Sequence, residues 1–179
     1  MINLKFHLTR EEFFSFNYYT TWAAPFRKKY RMMYYTRVLL LYSVVASVYV
    51  LSWHRGQWFI DFLIFTVVGL VYVTLVPFFV QRSIRSRVAA MLKEKENQHI
   101  LDQSEVIISE DGIVDRDTVS ETQYNWDAIV RSSETDFFFY LYTNSYHAIV
   151  VPKRVLSDQQ HKTLRGLLER HLPLSSALN

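Results

Sequence analysis

Two stretches without a single charged residue, Val38 to Trp53 (16 residues) and Phe62 to Val80 (19 residues), constrain this chain more than anything else in it. A helix rises 1.5 Å per residue, so a bilayer crossing needs roughly 20 apolar residues. The aromatic approach Tyr34-Tyr35 brings the first stretch to that length. A core helix of a soluble protein is usually shorter and keeps its polar residues on one face. Here hydroxyl-bearing interruptions such as Tyr42, Ser43, Ser47 and Ser52 fall all around the helix. The pattern predicts a transmembrane helical hairpin with spans over about 34–53 and 58–80. The link His54-Arg55-Gly56-Gln57 joins them, with Gly56 supplying the freedom a tight turn needs. Trp53 and Trp58 flank the link, at the depth where amphipathic rings favour the headgroups.

Lysine and arginine set the orientation. Arg27, Lys28, Lys29, Arg31 and Arg37 precede the first span; Arg82, Arg85, Arg87, Lys93 and Lys95 follow the second. The link holds Arg55 alone. That asymmetry predicts a multi-pass protein of the bacterial cytoplasmic (inner) membrane with both termini cytoplasmic. The expected membrane-interface residues are Arg27, Lys28, Lys29, Arg31, Arg37, Trp53, Trp58, Arg82, Arg85 and Arg87. Some thirty residues precede the first span and a second span follows at once, which argues against a cleaved signal peptide.

A length of 179 residues leaves room for the hairpin and one small domain. With no cysteine, neither a disulfide framework nor a thiolate metal site can form. Four glycines exclude most glycine-rich phosphate cradles. The net charge of +3 hides a division: residues 26–98 carry +8 and residues 99–151 carry −8. The basic part borders the expected bilayer, where each cation near anionic lipid contributes about 1 kcal/mol. The downstream part is acidic, and the balance gives no support for nucleic acid as a partner.

Along the chain, Ile2, Leu4, Phe6 and Leu8 alternate with polar residues, the period of a half-buried strand. Thr9 to Glu12 reads as a capping box opening a helix through about Trp22. Its many aromatic residues suit either the membrane surface or packing on the cytoplasmic domain. Pro25 divides it from the first span, so 1–25 reads as an N-terminal segment and 26–98 as the hairpin with a helical extension. Within the hairpin, Ser43, Ser47, Thr66 and Gly69 are small residues expected to let the helices approach. Asp61 is expected at the outer interface, within reach of water or Arg55.

From Ile100 the period changes to strands. They are expected over 105–109, 113–118, 122–126, 129–134, 137–143 and 146–151, the last stopped by Pro152. Asp111-Gly112 reads as a hairpin turn in which both positions tolerate positive φ. Ser157 to Gln160 is a second capping box, opening a helix with an apolar face of Leu164, Leu167, Leu168 and Leu172 and an outer Arg165–Glu169 pair. Residues 174–179 are expected to be a loose tail. The fold class is therefore α+β: a two-helix transmembrane hairpin plus a cytoplasmic, pleckstrin-homology-like antiparallel β-roll (99–173) with one C-terminal helix. Met1 to Leu8 is available as an extra strand, which would make the hairpin an insertion.

Three runs carry a family likeness: Ile108-Ser109-Glu110-Asp111-Gly112-Ile113, Tyr124-Asn125-Trp126-Asp127-Ala128-Ile129, and Ile149 to Leu156. Together with the opening Leu8-Thr9-Arg10-Glu11-Glu12-Phe13, the sequence resembles the YcxB-like bacterial membrane proteins. The resemblance is strongest over about 106–168. It implies a membrane hairpin and a pleckstrin-homology-like cytoplasmic domain, and it implies no activity or ligand residues.

Catalytic patterns are weak. The six histidines show no helical i,i+4 pair and no HExxH spacing, and no GxSxG, Walker or GxGxxG run occurs. Asp111, Asp115 and Asp117 lack the glycine and glutamate of a calcium loop. Asp115 and Asp117 read instead as the solvent side of a strand, and Trp126 as a core anchor. The expectation is no enzyme, no cofactor and no metal. The sequence favours a membrane-anchored interaction or regulatory module whose acidic roll binds a protein or peptide, with the lipid bilayer and a protein partner or homo-oligomer as its contacts. An anionic-lipid sensor, an oligomeric transporter or channel subunit, and a toxin-immunity membrane protein are the alternatives.

Overall fold

The computed structural model describes residues 1–53 and 58–172. Residues 54–57 and 173–179, together with the side chains of Trp53 and Gln98, lie outside the described residues, and the expected link and the expected tail (174–179) fall among them. The chain is α+β, with two long apolar helices and two antiparallel sheets. It divides into two compact units: residues 22–87, and residues 1–21 together with the chain from 88 onward. The N-terminal strand is part of the same sheet as residues 103–108, so residues 22–87 are inserted in the sequence of the other unit.

In the second of these units β1 (Ile2–His7) comes first, with Ile2, Leu4 and Phe6 buried and their neighbours exposed, as the alternation predicts. Thr9 and Glu12 form the expected capping box at the start of α1 (Arg10–Tyr18). The helical path continues as a wider, π-type turn from Tyr19 to Ala23. Of the two placements open to α1, packing on the domain is the one found. Phe16 and Tyr19 lie 5.7 and 5.1 Å from the ring of Tyr140, and the Thr20 and Tyr142 hydroxyls are hydrogen bonded at 2.8 Å.

The other unit contains α2 (Lys28–Trp53) and most of α3 (Trp58–Met91). Tyr42 Oη donates to the Phe65 carbonyl at 2.8 Å, and the Tyr34 and Tyr72 hydroxyls meet at 3.0 Å. Gly69 admits the Tyr42 ring: a Cβ there would stand 3.5 Å from it. Ser43 and Thr66 turn their hydroxyls back to the carbonyls of Leu39 and Phe62, as hydroxyls in apolar surroundings must. Pro77 is accommodated inside α3. Asp61 is covered, only 7% exposed, rather than open to water.

The strands that follow are β2 (Gln103–Ile108), β3 (Ile113–Arg116), β4 (Glu121–Tyr124), β5 (Arg131–Glu134), β6 (Phe138–Tyr142) and β7 (Ala148–Pro152). One sheet has the order β1-β2-β3-β4 and the other β5-β6-β7. The helix α4 (Asp158–His171) starts at the Ser157/Gln160 capping box and buries Leu164 and Leu167. One core unites both sheets and this helix: Ile2, Leu4, Val106, Ile108, Phe139, Leu141, Val151, Leu164 and Leu167 all meet in it. Every residue of β6 is buried: Phe139 and Leu141 face this core, while Tyr140 meets the rings of Phe16 and Tyr19.

Several local expectations are corrected. Trp126 is not in a strand but in a 3-10 turn (Trp126–Ala128), where the chain crosses from one sheet to the other. Pro152 is itself the last residue of β7, paired with Phe138, rather than lying just beyond the strand. Among the described residues Gly112 alone takes a positive φ, at +151°. Arg165 pairs with Glu134, not with Glu169.

Candidate interaction site

Apolar surface dominates the two long helices. In the most apolar eighteen-residue window of α2 no residue is buried, and in that of α3 only 11% are. Apolar side chains cover the whole circumference, which in water would be an unstable surface. Both helices line an open apolar groove of about 560 Å³ that includes Ser43, Ala46, Thr66 and Gly69. Of the residues expected at the membrane interface, Lys28, Lys29, Arg37, Arg82, Arg85, Arg87 and Trp58 are exposed. Arg27 is half-buried, its guanidinium 5.5 Å from the Phe26 ring centre. Arg31 differs: it donates to the carbonyls of Trp22 and, at 3.0 Å, Ala24, so it ties the irregular turn before α2.

On the β domain the acidic residues are largely engaged. Glu134 receives Lys153 Nζ and Arg165 Nη2, each at 2.6 Å. Partial burial pushes its carboxyl up, but those two cations outweigh this and hold it below the usual range. Glu110 is held down by a hydrogen bond from His171 and by Arg170. His171 in turn stacks on Trp126, ring centres 4.7 Å apart and planes within 4°. The Trp126 indole N–H points to the carbonyls of Ser109 and Glu110, both at 3.1 Å. Trp126 is thus the core anchor the sequence suggested.

Asp115 and Asp117 are not simply solvent-facing. Burial, aided by Asp117, raises the Asp115 carboxyl above its usual value. Asp117 accepts the N–H groups of Val119 and Ser120, which outweigh burial and lower it. Asp111, Asp127 and Asp136 remain exposed. Lys5, Gln103, Glu105, Arg116, Asp117 and Thr118 line a shallow polar depression of about 200 Å³. Among the described residues no three histidine, aspartate or glutamate side chains converge on a metal-sized position.

Glu12 joins distant parts of the domain. Besides capping α1, it receives Arg154 Nε at 2.7 Å and Nη2 at 3.0 Å, and Arg154 also donates to the His7 carbonyl. That guanidinium lowers the Glu12 carboxyl to about 2. A carboxyl depressed by folding stabilises the fold above its unfolded value, and the contribution vanishes as pH falls through the folded one. Stability should therefore decline between about pH 4.5 and pH 2. Glu12→Gln should cost about 1–2 kcal/mol at pH 7 and flatten that decline. Urea unfolding of the full chain in detergent at pH 3 and pH 7 measures both; an unchanged slope would refute the pair's role.

The fold is thus an α+β chain with an apolar helical pair and an antiparallel β domain. Residues 108–168, from the last residue of β2 to near the end of α4, match the family model described as YcxB-like protein. The match covers about a third of the chain and contains the turn at Gly112, the Trp126 crossing and most of α4. No curated protein and no solved structure matches the chain.

Proposed function

We propose that this chain is a membrane-anchored interaction module. α2 and α3 cross the bilayer as a hairpin, both termini lie on the cytoplasmic side, and the β domain, a pleckstrin-homology-like roll, binds a protein or peptide. The observation that carries the anchor is the exposed apolar circumference of α2 and α3, bordered by the cations Lys28, Lys29 and Arg37 on one helix and Arg82, Arg85 and Arg87 on the other. Burying that surface in lipid removes the cost of holding it in water. The excess of acid over base between 99 and 151 supports a cationic partner for the domain. Anionic lipid is a poorer ligand for it, since Lys153 and Arg154 are already held by Glu134 and Glu12.

Purifying the tagged full chain from its own membranes at low and at high salt tests the binding role. A partner retained at low salt, released at high salt and lost when Asp111, Asp127 and Asp136 become asparagine is the expected result. Retention by the triple variant would remove electrostatics from the account. Recovery of no salt-sensitive partner under any condition would overturn the reading.

A further inference from the structure

Four charged side chains stand in one row across the first sheet. The strand register sets Lys5 opposite Glu105, Glu105 opposite Arg116, and Arg116 opposite Glu121. The ion pairs along the row measure 3.4, 3.3 and 2.8 Å. Sign alternates from strand to strand, the arrangement in which directly opposed charges stabilise a sheet. The row stops at Glu121 on β4, the last strand of this sheet, with the glutamate side chain 55% exposed.

The backbone at that edge is also unfinished. The Asp117 N–H donates to the Ser120 carbonyl at 2.9 Å, closing the β3–β4 turn. In an antiparallel ladder hydrogen-bonded pairs recur at every second position. Thr122 and Tyr124 therefore bond back to Asp115 and Ile113, and Glu121 and Gln123 direct their N–H and C=O groups outward. Among the described residues no backbone bond from another segment reaches this edge. The remaining edges are less open: β7 is buried throughout, β5 is exposed at Glu134 alone, and Arg154 covers the carbonyl at the end of β1. Glu121, Thr122 and Gln123 are all exposed.

We propose that β4 is a docking edge for an extended, basic segment of a partner protein, which adds as an antiparallel fifth strand with a lysine or arginine opposite Glu121. A cation there continues the alternation; an acid would face Glu121 directly. A second copy of this chain is the wrong occupant, because its own β4, Glu-Thr-Gln-Tyr, carries no cation. On the same face the next row is Asn3, Ile107, Val114 and Gln123, so valine or threonine suits the position two residues before the cation. This inference rests on the reading of the chain as an interaction module and names the partner's chemistry.

The test uses the full chain in nanodiscs and two labelled heptapeptides, Thr-Val-Thr-Lys-Thr-Val-Thr and its counterpart with glutamate for lysine. The lysine peptide is expected to bind at least tenfold tighter at low salt, and Glu121→Lys to reverse the preference. Gln123→Pro removes one outward N–H and no bond to β3, so it should abolish binding while leaving the melting temperature unchanged. Hydrogen exchange should slow at Glu121 and Gln123 when the lysine peptide is bound. Equal binding of the two peptides, no binding of the lysine peptide, or binding that survives Gln123→Pro overturns the proposal, as does crosslinking of two copies through β4. A native partner that co-purifies equally with wild type and Gln123→Pro leaves the interaction role standing and refutes this edge alone.

Discussion

Trp126→Ala should destabilise the β domain by about 3–5 kcal/mol, the largest loss expected from any single truncation in the chain. The indole lies where the chain crosses between the two sheets, is 7% exposed, and belongs to the same core as Ile108 and Ile113. Its N–H satisfies two carbonyls of the β2–β3 turn, and its face carries the His171 ring at the end of α4. Removing it opens a cavity and unpins a turn and a helix end together. Trp126→Phe keeps most of the volume and loses the N–H, so it should cost about 1–2 kcal/mol. Since domains of this size are stable by only about 5–15 kcal/mol, the alanine variant should show a much lower urea midpoint. A shift below that of the phenylalanine variant would mean the tryptophan is not the anchor.

Gly112→Ala should be the next most damaging change, at about 2–4 kcal/mol. Two observations agree on this. The residue sits at φ +151°, where side chains are rarely tolerated, and a Cβ would fall 2.4 Å from the Tyr124 carbonyl oxygen. That contact is with backbone, so β3, β4 and the turn would have to part to relieve it. The neighbouring Asp111→Ala, at an exposed position, should change stability by less than about 0.5 kcal/mol. Comparable midpoints for the two variants in urea would show that the turn relaxes freely.

Local signals in the sequence reached the elements whose cause is local. Thr9/Glu12 and Ser157/Gln160 are capping boxes because the side chain and N–H involved are three residues apart. The alternation of Ile2, Leu4 and Phe6 marks a strand whatever it pairs with. Pairings across the fold were not legible in the same way. Arg165 meets Glu134 instead of Glu169 because the last residue of β5 reaches α4, a fact of topology that helical spacing does not carry. Trp126 continues an alternating run in sequence, yet the chain must turn there to leave one sheet for the other. The same holds for the candidate site: Lys5, Glu105, Arg116 and Glu121 form a row only once four strands are in register. The charge count marked 99–151 as acidic without showing which acids are paired, and Glu105, Glu110 and Glu134 are each engaged by cations.

Topology mapping in intact cells tests the membrane hairpin, and the absence of native cysteine makes it clean. Single cysteines at Gln57, in the link, and at Thr118, in the β3–β4 turn, can be probed with a maleimide that does not cross the membrane. The account predicts that Gln57→Cys reacts in intact cells, that Thr118→Cys reacts only after permeabilisation, and that both variants stay with the membrane pellet after alkaline washing. Labelling of Thr118→Cys from outside, or recovery of the chain in the wash, would contradict it.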